Sequence, residues 1–382
     1  MNCFKEQAQD GRPKAEGRKI EVRGQRSGVS AKNFLVNSRF SRFRILAFLA
    51  LLLPLSADAE TTIKFATLAP EGTSWTKILR QYAKEVEKKT AGRIKFKIYA
   101  GGISGDEKDV VRKIRIGQLN AAGFTGFGIG EIAPEMRVLD APFLFKNPDE
   151  IDHIYKEFDS EFRKIFDDKG FTLLGWSEVG GVYVFSNSPI VKTEDAAKFK
   201  MWIWEGDPIA QATFEAMGVK PIPLSITDVM TSLQTGMIDA VYGAPAAIIP
   251  LQWYNKMKYA LDLPITNASG AILLSKKTAD SLTAADRKLL MELSEKHFKN
   301  LNETSRKDNA RSLQTLKSKN ISFTRLSEEE SKKLALAGKT AREKLSGRIF
   351  SKELLDKIEK EIESFRKAKQ AGAPRGKPAN GK

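Results

Sequence analysis

The sequence predicts an α/β fold in two lobes. Strand-like and helix-like runs alternate through the body of the chain, and the alternation restarts after about residue 200. The chain has 382 residues, 41% hydrophobic and 29% charged, which is enough length for two ordinary domains and a normal composition for a globular core. Repeated strand–helix–strand units imply parallel sheets with helices on both faces.

In order, Thr61 to Thr67 reads as a strand and Thr73 to Lys89 as a helix, capped by Thr73 or Ser74 and closed by Ala91-Gly92. Ile94 to Tyr99 alternates like a strand. Ser104-Gly-Asp-Glu107 reads as a capping box opening a helix to Ile116, which Gly117 ends. Leu119 to Thr125 is a short strand. Asn147-Pro148-Asp149-Glu150 supplies a cap, a proline at the first helical position and an acidic first turn. Thr172 to Ser177 and Val182 to Ser186 are β-like.

The second series begins with a strand from Met201 to Trp204. Asp207-Pro208 caps a helix to Met217, stopped by Gly218, and Ser225 to Asp228 opens one ending at Gly236. Ile238 to Tyr242 and Ala271 to Ser275 read as strands. Beyond these the chain is mainly helical, with starts at Thr283 and Ser327 and a last helix from about Ser351 to Ala368. The Gly-, Pro- and Lys-rich tail is expected to be disordered.

The amino end carries an address. Arg39, Arg42 and Arg44 precede an apolar run from Ile45 to Leu55, and Ala57-Asp58-Ala59 follows as a small-x-small cleavage site. This is the three-part pattern of a cleaved secretory signal, and it predicts a periplasmic mature protein beginning at Glu60. The signal reads best if translation starts near Leu35 or Val36. The apolar run is far shorter than the roughly 20 residues of a spanning helix. The single cysteine, Cys3, lies ahead of it, so the mature chain has neither a disulfide framework nor a thiolate metal site.

The formal charge of +16 is unevenly placed. Residues 1–59 hold 11 basic against 5 acidic side chains, and the tail adds Arg375, Lys377 and Lys382. In the body, charges of both signs interleave, as in Lys84, Glu85, Glu87, Lys88 and Lys89. No aromatic-basic stripe of the kind that stacks bases is present, so no nucleic-acid partner is expected.

Ligands of open α/β sheets sit at the carboxyl ends of strands. The candidate loops are Gly123 to Gly130, Glu205 to Pro208, Pro223 to Asp228 and Tyr242 to Pro245. The first, G-F-T-G-F-G-I-G, lacks the last glycine of a dinucleotide loop and a following G-K-[ST], and reads as a flexible turn with close backbone packing. Only two histidines exist, His153 and His297, with no second ligand at metal spacing, and no nucleophile elbow is present. Glu205 with Asp207 is a carboxylate pair, more often a turn and a helix cap than an acid–base couple. No catalytic residue, metal or cofactor is therefore expected. The candidate ligand contacts are Thr125, Phe127, Trp202, Trp204, Ile226, Tyr242 and Gly243, with Trp253 near them. Trp202 and Trp204, two apart on a strand, share a face. Core packing explains such rings as well as a pocket does.

Several segments, spread from about Thr62 to Phe365, resemble the DctP family of solute receptors of TRAP transporters. They are K-F-A-T-L-A-P-E-G-T-S-W (64–75), A-G-R-I-K-F-K-I-Y (91–99), G-D-E-K-D-V-V (105–111), L-D-A-P-F-L-F (139–145), D-A-A-K-F-K-M-W (195–202), D-V-M-T-S-L-Q-T-G-M-I-D-A (228–240) and Q-W-Y-N-K-M-K-Y (252–259). The resemblance implies a type II periplasmic-binding-protein fold, with discontinuous lobes, hinge strands and a long crossing helix. Its lobes would be 60–181 with 267–368, and 182–266, after a leader over 1–59 and before a basic tail over 369–382. It implies a small organic ligand enclosed by hinge closure and delivered to membrane permease subunits without ATP.

The resemblance breaks at the expected carboxylate clamp. Trp202 stands where the K-x-R segment would supply arginine, and Val182 where some members have a second one; Tyr242-Gly243-Ala244-Pro245 replaces an asparagine-proline segment. A tryptophan cannot neutralise a carboxylate, and burying one unpaired is costly. The expected ligand is more apolar than a simple dicarboxylate. The chain is also similar to the branch of the family that works with a tetratricopeptide-repeat partner. An ABC-type receptor and an exported enzyme on the same scaffold are the alternatives.

Overall fold

The computed structural model of the protein describes residues 60–372. The expected leader, its cleavage after Ala59 and the tail beyond residue 372 lie outside the described residues. The first half runs β1 (Thr61–Thr67), α1 (Ser74–Lys89), β2 (Ile94–Tyr99), α2 (Glu107–Arg115), β3 (Ala121–Thr125), α3 (Gly126–Ile132), a 3-10 turn (Pro134–Asp140), α4 (Pro148–Glu157), α5 (Asp159–Asp168), β4 (Phe171–Trp176) and β5 (Gly180–Ser186). Then follow β6 (Trp202–Trp204), α6 (Pro208–Ala216), β7 (Ile222–Leu224), α7 (Val229–Thr235), β8 (Ala240–Gly243), α8 (Pro245–Ile248), β9 (Tyr259–Leu261), β10 (Thr266–Ala268) and β11 (Gly270–Ser275). The chain ends on α9 (Lys276–Ser281), α10 (Ala284–Ser318), β12 (Ser322–Thr324), α11 (Glu328–Leu345) and α12 (Lys352–Gly372).

The first sheet has the order β2-β1-β3-β11-β4. Alternation along β1 sends Ile63 and Phe65 to one face, against Leu79, Tyr82 and Phe298 of α1 and α10. Ala66 faces the other way, into the layer built from α2 to α5 and α12. The second sheet is β10-β5-β9-β12, with β8 on the other side of β5. β6 and β7 form a parallel pair, which a bridge from Met201 to Ala240 joins to the second sheet. Helices on both faces of the first sheet, and a second sheet beyond it, make this a two-lobed α/β fold.

Four expectations need correction. The sheets are mixed, not parallel: β11 runs antiparallel to both β3 and β4, because the chain re-enters the first sheet from the second one. In the second sheet β5 is antiparallel to β8, β9 and β10. The cap of α2 is Asp106, which accepts the Glu107 amide, and not Ser104; Glu107 turns inward instead. The Gly123 to Gly130 segment is no flexible turn, since Thr125 caps α3 within it. Finally, α12 runs to Gly372, four residues into the expected tail, held by a Lys369–Asp149 ion pair and by Arg366 on Glu150.

The crossing helix is α10. Its 35 residues extend about 52 Å at 1.5 Å per residue. Near its start Ser294 donates to the Tyr82 hydroxyl of α1 at 2.9 Å. Farther on, Asn309 donates to the Val179 carbonyl and accepts the Ala246 amide of α8. One rigid rod thus contacts both sheets' surroundings.

Candidate functional site

A cavity of about 260 Å³ opens at the carboxyl ends of β1, β3, β6 and β8, where open α/β sheets place their ligands. Its wall includes all eight candidate residues: Thr125 and Phe127 from the β3–α3 junction, Val182 from β5, Trp202 and Trp204 from β6, Ile226 after β7, and Tyr242 and Gly243 from β8. Trp253 is also there. The two histidines are elsewhere: His153 pairs with Glu361 and His297 with Glu85. Among the described residues no group of side chains could hold a metal ion, and no helix is long and apolar enough to cross a membrane.

The aromatic residues form one continuous row. Phe127 stacks on Trp204 at 5.1 Å, Trp204 meets Trp202 at 5.4 Å, Trp202 stacks on Tyr242 at 5.0 Å, and Tyr242 meets Phe214 at 5.4 Å. Trp253 stands edge-on to Trp202 at 5.2 Å. The shared face of Trp202 and Trp204 follows from their strand spacing. The Trp202 indole donates to the Leu224 carbonyl at 3.0 Å, fixing the ring against β7. The Tyr242 hydroxyl is buried and makes no well-formed hydrogen bond.

The polar part of the wall was not legible as a site. Arg137, in the 3-10 turn, is buried and donates through Nη2 to Asp207 Oδ1 at 2.8 Å; its Nε lies 3.2 Å from Asp140 Oδ2. Burial opposes the guanidinium charge, but Asp207 and Asp140 outweigh it and raise its pKa. Burial raises that of Asp140, against the pull of Arg137 and of the Ser269 amide, which donates to it at 2.8 Å. Asp207 also caps α6 through the amides of Ile209 and Ala210. The cap was visible in the Asp-Pro pair; its second role as Arg137's counter-ion was not.

Glu107 lies beneath α3. Its carboxyl accepts the Thr125 amide, pairs with the Thr125 hydroxyl and accepts the Gly128 amide, each at 2.7 Å. Burial nevertheless pushes its pKa up to about 8. Each glycine of α3 makes room for one buried charged side chain. A Cβ on Gly126 would overlap the Asp140 carboxylate, one on Gly128 would sit 2.7 Å from Glu107 Oε2, and one on Gly130 would sit 2.6 Å from Arg137 Cδ. The every-second-residue glycines were the available signal for this buried cluster.

The family model of bacterial extracellular solute-binding protein, family 7 (DctP), matches residues 65–347. A solute-binding protein of Verminephrobacter eiseniae is 25% identical over 268 residues, 70% of this chain and 80% of that one. A TRAP periplasmic solute-binding protein of Ochrobactrum anthropi, with its own carboxyl terminus in its ligand pocket, superposes with a TM-score of 0.72 at 25% identity. It covers 83% of this chain and 100% of that one. The sugar-acid-binding protein of Advenella mimigardefordensis, in complex with galactonate, superposes with a TM-score of 0.76 at 22% identity, over 80% and 99% of the two chains.

Proposed function

This chain belongs to the bacterial extracellular solute-binding proteins of family 7, the receptors of TRAP-type transport, and we propose that its ligand is a small, ring-bearing organic molecule. The observation that carries this reading is the aromatic row from Phe127 to Phe214 along the cavity wall. Stacked rings bury large apolar area and favour flat partners. The eight residues Thr125, Phe127, Val182, Trp202, Trp204, Ile226, Tyr242 and Gly243 are proposed as its contacts. A ligand oxygen reaching Tyr242 would give a full partner to a buried hydroxyl that makes no well-formed hydrogen bond among the described residues.

The reading is of a receptor and not an enzyme, since both histidines are engaged away from the cavity. The lobes are proposed as 60–181 with 267–368, and 182–266. The small β12 strand, which pairs with β9, and α11, which packs on α6, would brace the second lobe from the first lobe's chain. Delivery is proposed to membrane permease subunits, with a tetratricopeptide-repeat protein as a further partner. Export is proposed through cleavage after Ala59, and mass spectrometry of the mature protein is expected to give Glu60 as its first residue.

Native mass spectrometry of the protein as purified, followed by calorimetry with the recovered compound, tests the ligand reading directly. A ring-bearing compound that Trp202→Ala releases is expected. Tight binding of succinate or malate that survives Trp202→Ala would refute it.

A further inference from the structure

The charges in the cavity wall point to a second property of the ligand. One basic side chain, Arg137, shares the wall with five acidic ones, Glu107, Asp140, Glu178, Asp207 and Asp308, of which Glu178 is paired with Arg306 and Asp308 with Arg311. Arg137 is already held between two of them, at 2.8 Å from Asp207 and 3.2 Å from Asp140, and all three side chains are buried. Asp207 is in turn pinned at the start of α6 by two backbone amides, and Asp140 by the Ser269 amide. Neither acid can swing away to free the guanidinium without breaking these bonds.

We propose that Arg137, Asp140 and Asp207 set the charge class of the ligand, so that the cavity takes an uncharged molecule and rejects a carboxylate. With one cation and two anions, the group has no positive charge left over. A ligand carboxylate would enter a buried site without a counter-ion and beside surplus negative charge, where desolvation is costly. The protein supplies through Asp207 the carboxylate that its one wall arginine binds. Arg137 can still offer a donor to a neutral carbonyl or hydroxyl. The inference rests on the reading of this cavity as the receptor's ligand site.

The test compares 2-naphthamide with 2-naphthoate, which share a ring system and differ in charge. Calorimetry on the full mature protein is expected to show the amide binding at least tenfold more tightly. Asp207→Asn removes one negative charge with little change of shape, and is expected to shift the ratio at least tenfold toward the acid. Asp140→Asn is expected to shift it the same way and serves if Asp207→Asn does not fold. Asp168→Asn, a surface position outside the cavity whose carboxylate pairs with Lys164, is expected to leave the ratio unchanged. A parent protein that prefers the acid, or a ratio that neither triad variant moves, overturns the proposal while leaving the ring-binding cavity intact. Failure of both compounds to bind the parent overturns the cavity reading and this inference together.

Discussion

Trp204 Nε1 stands 3.2 Å from both carboxylate oxygens of Asp106. Asp106 is the cap of α2, and it also accepts the Ser225 hydroxyl at 2.6 Å and the Ile226 amide at 3.3 Å. One acidic side chain therefore ties the helix after β2 to the end of β6 and to the turn that follows β7. Nearby, Lys108 donates to the Glu205 carbonyl at 2.7 Å across the same junction.

Asp106→Ala is expected to cost about 2–4 kcal/mol, from a lost cap of roughly 1 kcal/mol and the charge-assisted bonds to Trp204 and Ser225. Urea unfolding measures it. Small-angle scattering of the unliganded variant is expected to give a larger radius of gyration, because the junction opens. Asp109→Ala, which removes a surface pair with Arg112, is expected to change stability by less than about 0.5 kcal/mol. Equal effects of the two substitutions would count against the tie.

Glu107 makes stability depend on pH. Its pKa is raised from an ordinary 4.5 to about 8, so between those values the folded chain holds a proton that the unfolded chain has released. The stability this contributes is complete below about pH 4.5 and declines as pH climbs to about 8. The slope is at most about 1.4 kcal/mol per pH unit. Glu107→Gln cannot titrate, so the gap between parent and variant is expected to narrow in urea unfolding from pH 5 to pH 8. A constant gap would show that Glu107 is ionised throughout.

Trp202 is fully buried and bonded to Leu224. Trp202→Ala is expected to destabilise by about 3–5 kcal/mol through the cavity it leaves. Trp202→Phe keeps a ring and is expected to cost roughly 1–3 kcal/mol, chiefly through the stranded Leu224 carbonyl. Thermal unfolding in the absence of ligand separates the two.

Gly126→Ala is expected to destabilise by about 3 kcal/mol or to prevent folding, since its Cβ would overlap a buried carboxylate that has no room to move. At Gly181 the nearest atom to an added Cβ is Pro264 Cβ at 3.4 Å, and Gly181→Ala is expected to stay within about 1 kcal/mol. Denaturation midpoints of the two variants give the comparison.

Much of this architecture follows from local signals. Thr73, Asn147, Asp207, Thr283 and Ser327 each cap the helix their sequence pattern announces, because capping depends on neighbours within one turn. The direction of β11 and the pairing of β12 with β9 depend on partners far away in the chain, and local pattern carries no trace of them. The aromatic wall was legible for a similar reason: Trp202 and Trp204 are two residues apart, and strand geometry alone puts them together. Arg137 and Asp207 are 70 residues apart, and neither has a neighbour that betrays the other. Glu107 misled the reading, since a glutamate three residues after Ser104 fits a capping box, while its carboxyl belongs to Thr125 and Gly128.

The fit between the α3 glycines and the charges beneath them also decides how such a receptor can be altered. Gly126 with Asp140, Gly128 with Glu107, and Gly130 with Arg137 are interlocked positions. A larger residue at Gly126 or Gly130 is ruled out until its partner shrinks, and at Gly128 until Phe124, 2.5 Å from an added Cβ, gives way as well, while a smaller partner alone leaves a void and an unbalanced charge. Single-site variation is thus blocked in both directions, and new specificities are reachable only by paired steps. A library that samples these positions two at a time has access to variants that one-at-a-time scanning would discard.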